Sequence, residues 1–220
     1  PIVGTSIESL LSNCSEDFSE IYIHILDYGL TAQNMEKMRQ ILDAHNTNDL
    51  FTIYFYSNFD MKGLDQIEML SDHTNVIYSR FFIPEILSTI DRCILLGGDT
   101  LILKSLKEFW SIDLGDNFIG SAIDYNMGVS SVHKKLIGIH EFSPYINTDV
   151  LILNLDILRK NQISKKLTQY ALANDGRLPF ADQDSWSAVL EDHIYIFSPI
   201  YNNLGWQHNP SYTKHISINV

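Results

Sequence analysis

Residues 92 to 103 read Arg-Cys-Ile-Leu-Leu-Gly-Gly-Asp-Thr-Leu-Ile-Leu. Two glycines and one carboxylate, that of Asp99, interrupt this apolar run. The pattern predicts a buried parallel strand that stops, exposes Asp99 and then resumes. Because ligands of open α/β sheets bind beyond the carboxyl ends of strands, Asp99 lies where a ligand-binding carboxylate is expected. An aspartate after Gly-Gly is equally typical of a plain turn, so this stretch alone leaves both interpretations open.

Strand-like and helix-like segments alternate along the rest of the chain. Runs of β-branched and aromatic residues predict strands at 20–27, 50–56, 117–123, 149–154 and 194–198. Apolar residues at helical spacing predict helices at 3–12, 31–43, 79–87 and 156–173, and a further helix headed by Asp182. This order predicts one α/β domain of three layers with a mostly parallel central sheet. Residues 125 to 144 are expected to form a long loop of the kind that often carries function.

Composition excludes several classes of partner. The 220 residues carry a formal net charge of −12, and 45% of them are hydrophobic. Such a surface repels nucleic acid and anionic membranes, so a phosphate ligand would need a metal or a few placed cations. With only Cys14 and Cys93 there is no disulfide framework, and we expect a cytoplasmic protein. No stretch has the length of a transmembrane helix.

Polar residues cluster where strands end. On a mostly parallel sheet they would meet at one edge, where carboxylates and amides can bind the hydroxyls of a polyhydroxylated ligand. These candidates are Asp99, Asp124, Asn147 and the cluster Asp182-Gln183-Asp184. Each also has a structural interpretation: Asp124 as a turn residue, Asp182 as a helix N-cap, and 147–149 as a turn before a strand.

Arg80 is the cation of most interest. It lies in Tyr-Ser-Arg-Phe-Phe-Ile-Pro-Glu, among apolar residues. A half-buried guanidinium needs a partner, which would be an internal carboxylate such as Asp99 or a ligand phosphate or ring. The histidines and cysteines show no zinc-ligand spacing, and there is no P-loop, Gly-x-Gly-x-x-Gly or Gly-x-Ser-x-Gly motif.

Seven blocks of sequence stand out when they are taken in chain order. They are Thr5-Ser-Ile-Glu-Ser-Leu-Leu-Ser-Asn, Ile21-Tyr-Ile-His-Ile-Leu-Asp-Tyr-Gly-Leu, Tyr78-Ser-Arg-Phe-Phe-Ile-Pro-Glu, 92–103, Ala122-Ile-Asp, Tyr145-Ile-Asn-Thr-Asp-Val-Leu-Ile-Leu-Asn-Leu and Ala181-Asp-Gln-Asp. Together they resemble glycosyltransferase family 8, whose members are retaining transferases of GT-A fold that use nucleotide-sugar donors. The resemblance covers about nine tenths of the chain and ends near Tyr201-Asn202.

The resemblance implies a role for each candidate residue. Arg80 would lie against the donor nucleotide or its diphosphate. Asp99 would be the second carboxylate of the family's Asp-x-Asp motif and would hold Mn²⁺ or Mg²⁺. The residues assigned to the donor sugar would be Asp124 and Asn147, and those assigned to the reacting carbon would be Asp182 and Gln183.

The same resemblance implies an activity and its partners. The chain would move glucose or galactose from a UDP-sugar to a glycan or protein acceptor, in lipopolysaccharide or cell-surface glycan biosynthesis. Retention is expected by front-face attack beside Gln183, with a covalent intermediate on Asp182 as the alternative. The acceptor is expected to contact the loop at 125–144 and the C-terminal part of the family's domain, which is expected to lie outside these residues.

The sequence also departs from the family pattern. Gly97 stands where the family has the first Asp of Asp-x-Asp. The family's first strand and its C-terminal His-x-x-Gly-x-x-Lys-Pro are expected to lie outside these residues, as is any segment that would attach the protein to a membrane surface. Gly97 favours a rival interpretation, a non-catalytic GT-A domain that binds a nucleotide-sugar or a protein partner. A glycoside hydrolase with two carboxylates fits the alternating α/β order less well.

Overall fold

The computed structural model describes residues 2–46, 49–57, 59–70, 74–125 and 130–204. Its helices are α1 (Ile2–Cys14), α2 (Ala32–His45), α3 (Ile83–Ile86), α4 (Lys107–Trp110), α5 (Ser131–Leu136), α6 (Leu155–Lys160), α7 (Ile163–Ala173) and α8 (Ala181–Val189). Its strands are β1 (Ile21–Leu26), β2 (Phe51–Tyr56), β3 (Arg92–Leu96), β4 (Ile119–Ile123), β5 (Ile146–Asn154) and β6 (Ile194–Ile196). Short 3₁₀ helices cover Leu64–Gln66, Asn75–Phe82 and Pro199–Tyr201.

The strands form two sheets. β1 and β2 pair in parallel, and a four-stranded sheet has the order β3-β5-β4-β6. β5 is antiparallel to both β3 and β4, whereas β4 and β6 are parallel. Three strands of the larger sheet therefore run in one direction and β5 runs against them. The α/β class is confirmed, and the reversal of β5 makes this sheet a mixed one.

The larger sheet is covered on both faces because the side chains of β5 alternate. Leu151 and Leu153 belong to the main core with Trp186 and Phe81, which pack edge to face at 5.9 Å between ring centres. The other face of the sheet carries a second apolar layer, in which Val150 and Ile152 of β5 pack with Phe109, Leu114, Ala122 and Phe197. A third cluster joins α1 and α2 to the β1–β2 sheet. The predicted three-layer arrangement is thus present.

Several element boundaries differ from the sequence prediction. The helix expected at 79–87 is a 3₁₀ helix followed by the single turn α3. The helix expected at 156–173 is broken in two at Gln162, whose φ of 53° is left-handed. Residues 101–103 do not resume a strand, and α5 lies inside the expected 125–144 loop, of which residues 126–129 are outside the described part. Local apolar spacing predicted the helical character of 79–87 and 156–173, but not the breaks within them, the end of the strand before 101–103 or the helix α5.

A groove of about 760 Å³ separates the two sheets. β1 and β3 line its sides, and Arg80, Gly97 and Gly98 lie along its lining as well.

Both cysteines are free thiols; burial raises the pKa of Cys93 to about 12. Among the described residues, the helices are too short or too polar to cross a membrane.

Candidate active site

One edge of the larger sheet collects the polar candidates. Asp99 and Asp124 follow the carboxyl ends of β3 and β4, which point toward this edge. Asn147 lies near the amino end of β5, and because β5 is reversed, that end lies at the same edge. In a wholly parallel sheet Asn147 would lie at the opposite edge. The reversal of β5 therefore assembles the site.

Arg80 is held in place by Asp182 and Thr148. Its Nη1 lies 3.1 Å from Asp182 Oδ2, and the same nitrogen donates to the Thr148 carbonyl at 3.0 Å. Thr148 Oγ1 also donates to Asp182 Oδ2, at 3.0 Å. The predicted internal partner of Arg80, Asp99, is thus replaced by Asp182. Since Arg80 binds these groups through Nη1 alone, its other guanidinium donors can face a ligand.

Asp182 is a buried carboxylate whose neighbours shift its pKa in opposite directions. Its side chain is 1% exposed, and burial raises its pKa above the ordinary 3.8. Nearby Asp149 raises this pKa further, whereas Arg80 and Thr148 oppose the shift. Asp182 does not cap α8, since the N-cap position belongs to Phe180 and has no side-chain cap. The predicted N-cap role of Asp182 is wrong, because its carboxylate turns toward Arg80 and Thr148.

The raised pKa of Asp182 predicts a pH dependence of stability. A carboxyl whose pKa is higher in the folded state binds its proton more tightly there, so stability falls as pH rises from the unfolded pKa to the folded one. Relative to Asp182→Asn, the wild type should therefore lose free energy of unfolding as pH rises, starting near pH 4. Urea unfolding of both proteins between pH 4 and 8 measures this. If the free energy of unfolding of the wild type instead rises with pH relative to that of Asp182→Asn, the ion pair with Arg80 dominates.

Gln183 is fixed by amide and carboxylate neighbours. Its Nε2 donates to Asp124 Oδ2 at 3.0 Å, and its Oε1 accepts from Asn147 Nδ2 at 3.3 Å. Asn147 Oδ1 in turn accepts from Asn202 Nδ2 at 2.8 Å. All four side chains are buried. This series of hydrogen bonds sets the orientation of the Gln183 amide. It also confirms that three of the predicted residues lie together.

Asp184 stabilises the start of α8 through buried hydrogen bonds. Its Oδ2 accepts the Phe180 N–H at 2.8 Å, and its Oδ1 lies 2.7 Å from the Tyr145 hydroxyl and 2.6 Å from His133 Nε2. Burial, together with the Asp184 charge, raises the pKa of Tyr145, so its hydroxyl stays a donor. Just before Asp182, Ala181 adopts a left-handed φ of 47° that costs about 1–2 kcal/mol. The buried network of Asp184 holds this strained turn, which delivers Asp182 and Gln183 to the sheet edge.

Asp99 and Asp149 lie on either side of Gly97. A side-chain Cβ at Gly97 would be 3.0 Å from Asp99 Oδ1 and 3.3 Å from Asp149 Oδ1. In the described part of the chain, no hydrogen bond or salt bridge reaches either carboxylate. Two acidic oxygens therefore approach one point above Gly97.

The structure adds residues that the sequence did not single out for the site. Thr148, Asp149, Asn202 and His133 all contact or approach the predicted set. Thr148 and Asp149 lie within a block that carried the family resemblance, and Asn202 lies where that match ends, which was a usable signal. His133 had none, because it lies in the stretch expected to be an irregular loop.

The family model described as Glycosyl transferase family 8 matches residues 1–219. The chain belongs to this family. A Haemophilus influenzae protein named "Putative glycosyltransferase" is 23% identical over 205 residues, which are 92% of this chain and 59% of that protein. Glycosyltransferase GlyE of Streptococcus pneumoniae is 22% identical over 60% of this chain and 33% of its own length. The chain thus spans less than two thirds of either relative.

Solved structures of a galactosyltransferase superpose on most of the chain. The galactosyltransferase LgtC, in complex with donor and acceptor sugar analogues, superposes with a TM-score of 0.76 at 22% identity. The superposition covers 90% of this chain and 69% of LgtC. An active-site mutant of LgtC gives a TM-score of 0.77 at 20% identity, covering 96% of this chain and 77% of that one. This likeness confirms the GT-A fold.

Enzymes of this family and fold typically bind a divalent metal. The carboxylate oxygens near Gly97 are the candidate ligands for such an ion. Carboxylate oxygens are the ligands that Mg²⁺ and Mn²⁺ prefer, and such ions usually take one or two carboxylates together with substrate phosphates. Within the described ranges no group of three or more His, Cys, Asp or Glu side chains could hold a metal. The two carboxylates that approach the point above Gly97 fit an ion that a donor diphosphate and water would complete.

Proposed function

We propose that this chain moves a hexose, glucose or galactose, from a UDP-sugar donor to an acceptor hydroxyl with retention of configuration. The observation that carries this proposal is the fixed Gln183 amide, held between Asp124 and Asn147 beside the Arg80–Asp182 pair. Amide and carboxylate groups gathered at one sheet edge suit a sugar, and a guanidinium suits its diphosphate. The acceptor would be a glycan or a protein. The reaction would take place in the cytoplasm as a step of cell-surface glycan biosynthesis.

Arg80 supplies a positive charge at this edge of an acidic chain. It is held by Thr148 and Asp182 with 15% of its side chain exposed. We infer that its remaining donors bind the donor diphosphate. Asp99 would hold Mn²⁺ or Mg²⁺, which neutralises the charge that develops on the departing phosphate.

Gln183 is the group we assign to the reacting carbon. Its Oε1 carries partial negative charge, and the contacts with Asp124 and Asn147 keep the amide from rotating. A preorganised dipole of this kind stabilises the developing charge of an oxocarbenium-like centre without reorganising during the reaction. Attack by the acceptor on the same face as the leaving diphosphate then gives retention.

Asp182 is better suited to positioning than to nucleophilic attack. Its Oδ2 already accepts from Arg80 and Thr148, and the side chain is almost wholly buried. Attack on a sugar carbon through Oδ2 would have to break these contacts, and burial limits access to the rest of the carboxyl. The structure therefore favours front-face attack over a covalent intermediate on Asp182, whose role would be to hold Arg80 and Thr148.

The rival function is a domain that binds a nucleotide-sugar or a protein partner without catalysis. It is favoured by Gly97, which removes one carboxylate from the expected metal motif. The two functions differ in a simple way, because only the catalytic one requires metal-dependent cleavage of the donor.

Asp99→Ala tests the metal-dependent donor site in the full-length protein. We expect Mn²⁺-dependent binding of UDP-glucose or UDP-galactose to fall at least about tenfold, or about 1.4 kcal/mol. Calorimetric titration measures the binding, and UDP release measures hydrolysis. Asp116→Ala, at another exposed aspartate, is the matched control and should bind as the wild type does.

Two outcomes would contradict the catalytic proposal. Tight binding that needs no metal and survives Asp99→Ala would support the non-catalytic domain. Binding of the donor by the wild type without any release of UDP, with manganese and a range of sugar acceptors present, would do the same.

A further inference from the structure

We propose that Asp149 supplies the second carboxylate of the metal site and so replaces the one that Gly97 lacks. This inference rests on the proposed function, because it concerns the metal of the same donor site. It begins with the pairing of β3 and β5. Leu96 pairs with Val150, and the Gly97 N–H donates to the Asp149 carbonyl at 2.7 Å, so Gly97 and Asp149 are the next pair in the antiparallel register.

Side chains that lie directly opposite in an antiparallel pair share one face of the sheet. Asp149 therefore projects on the side where a residue 97 side chain would lie. Its own Cβ is 3.4 Å, and its Oδ1 3.3 Å, from the Cβ position at Gly97. The Asp149 carboxylate thus lies beside the space that an aspartate at position 97 would use.

Asp99 reaches the same space from the other direction. The Thr100 N–H donates to the Gly97 carbonyl at 3.0 Å, and this turn folds Asp99 back over Gly97. Its Oδ1 is then 3.0 Å from the Cβ position. A side chain at residue 97 would crowd both carboxylates, so the glycine is what allows them to approach each other.

Two carboxylates this close repel each other unless a cation lies between them. Among the described residues neither carboxylate has a hydrogen bond or salt bridge, and the Arg80 guanidinium is engaged by Asp182 and Thr148. A divalent cation held by both would relieve the repulsion, with the remaining positions taken by diphosphate oxygens and water. The carboxylate missing from β3 is thereby provided by the neighbouring strand.

The test is Mn²⁺ binding by the full-length protein, measured by electron paramagnetic resonance as loss of the free-ion signal, with and without UDP. Changes around a metal ligand typically cost tenfold or more, so Asp149→Asn and Asp99→Asn should each weaken Mn²⁺ binding at least about tenfold. Asp192→Asn, at an exposed aspartate elsewhere, removes the same charge and should bind as the wild type does. The exchange variant Gly97→Asp with Asp149→Gly should regain most of the binding that Asp149→Asn loses.

Thermal unfolding separates loss of a ligand from loss of the fold. Without metal, Asp149→Asn should be at least as stable as the wild type, because the repulsion with Asp99 is removed. With Mn²⁺, the wild type should gain a higher melting temperature and the variant should not. A variant that unfolds earlier without metal would assign Asp149 a structural role and overturn the inference.

The remaining outcomes distinguish this inference from the proposed function. Wild-type Mn²⁺ affinity in Asp149→Asn, with loss in Asp99→Asn, would leave Asp99 as the carboxylate ligand and refute the inference while the function stands. Mn²⁺ bound through both aspartates, with no effect of UDP and no donor cleavage, would refute the function and leave the inference intact. A wild type that binds no Mn²⁺ in either condition would refute the inference.

Discussion

Gln183→Ala is expected to lower kcat for donor cleavage and transfer at least about a hundredfold, the usual cost of removing one preorganised polar group from a reacting centre. The physical reason is the fixed orientation of this amide between Asp124 and Asn147, which an alanine cannot reproduce. UDP lacks the hexose that Gln183 is proposed to contact, so the affinity for UDP should change little. The measurement is UDP release from UDP-glucose and UDP-galactose with manganese, alongside calorimetric titration of UDP.

Gln169→Ala makes the same chemical change on the exposed face of α7 and is the matched control. It should leave kcat and UDP binding as in the wild type. A Gln183→Ala protein with kcat within threefold of the control would remove Gln183 from the reacting centre. Equal losses of UDP affinity and kcat would instead point to a general collapse of the site.

Asp184→Ala should lower the free energy of unfolding by about 4 kcal/mol, the range for breaking a buried, charge-assisted network. The change leaves two buried donors, the Tyr145 hydroxyl and His133 Nε2, and the part-buried Phe180 N–H without their acceptor. Because Asp184 also holds the turn at Ala181, donor cleavage should fall even at temperatures where the variant is folded. Urea unfolding by far-ultraviolet circular dichroism measures the first effect.

Asp156→Ala provides the comparison for stability. Its carboxylate is partly exposed in the first turn of α6 and pairs with Lys160 four residues later. Such a surface carboxylate contributes less than about 1 kcal/mol. If the two variants lost similar amounts of stability, the buried network of Asp184 would not be the anchor described above.

Much of the fold could be predicted from local pattern. The alternation of apolar runs located β1, β2 and β5 and the helices α1 and α2 to within a few residues, because side-chain periodicity reports directly on which face is buried. The breaks were not predictable in the same way. The left-handed Gln162 that separates α6 from α7 is a backbone state that apolar spacing does not report.

The sequence predicted which candidate residues lie near one another better than it predicted their contacts. Asp124, Asn147 and Gln183 do lie together, and Arg80 does have a carboxylate partner. The partner is Asp182 and not Asp99, a choice that depends on how α8 packs against β5. Thr148 completes that pair, although nothing in its local sequence distinguishes it from a strand residue.

The sequence by itself determined the α/β class, the family and the polar residues at strand ends, since these depend on periodicity and residue order along the chain. Only the tertiary structure decided that β5 runs against its neighbours, which carries Asn147 to the same edge as Asp99. It also decided that Asp149 lies opposite Gly97. Strand direction and cross-strand register arise from pairing between distant segments, so they are absent from any local pattern.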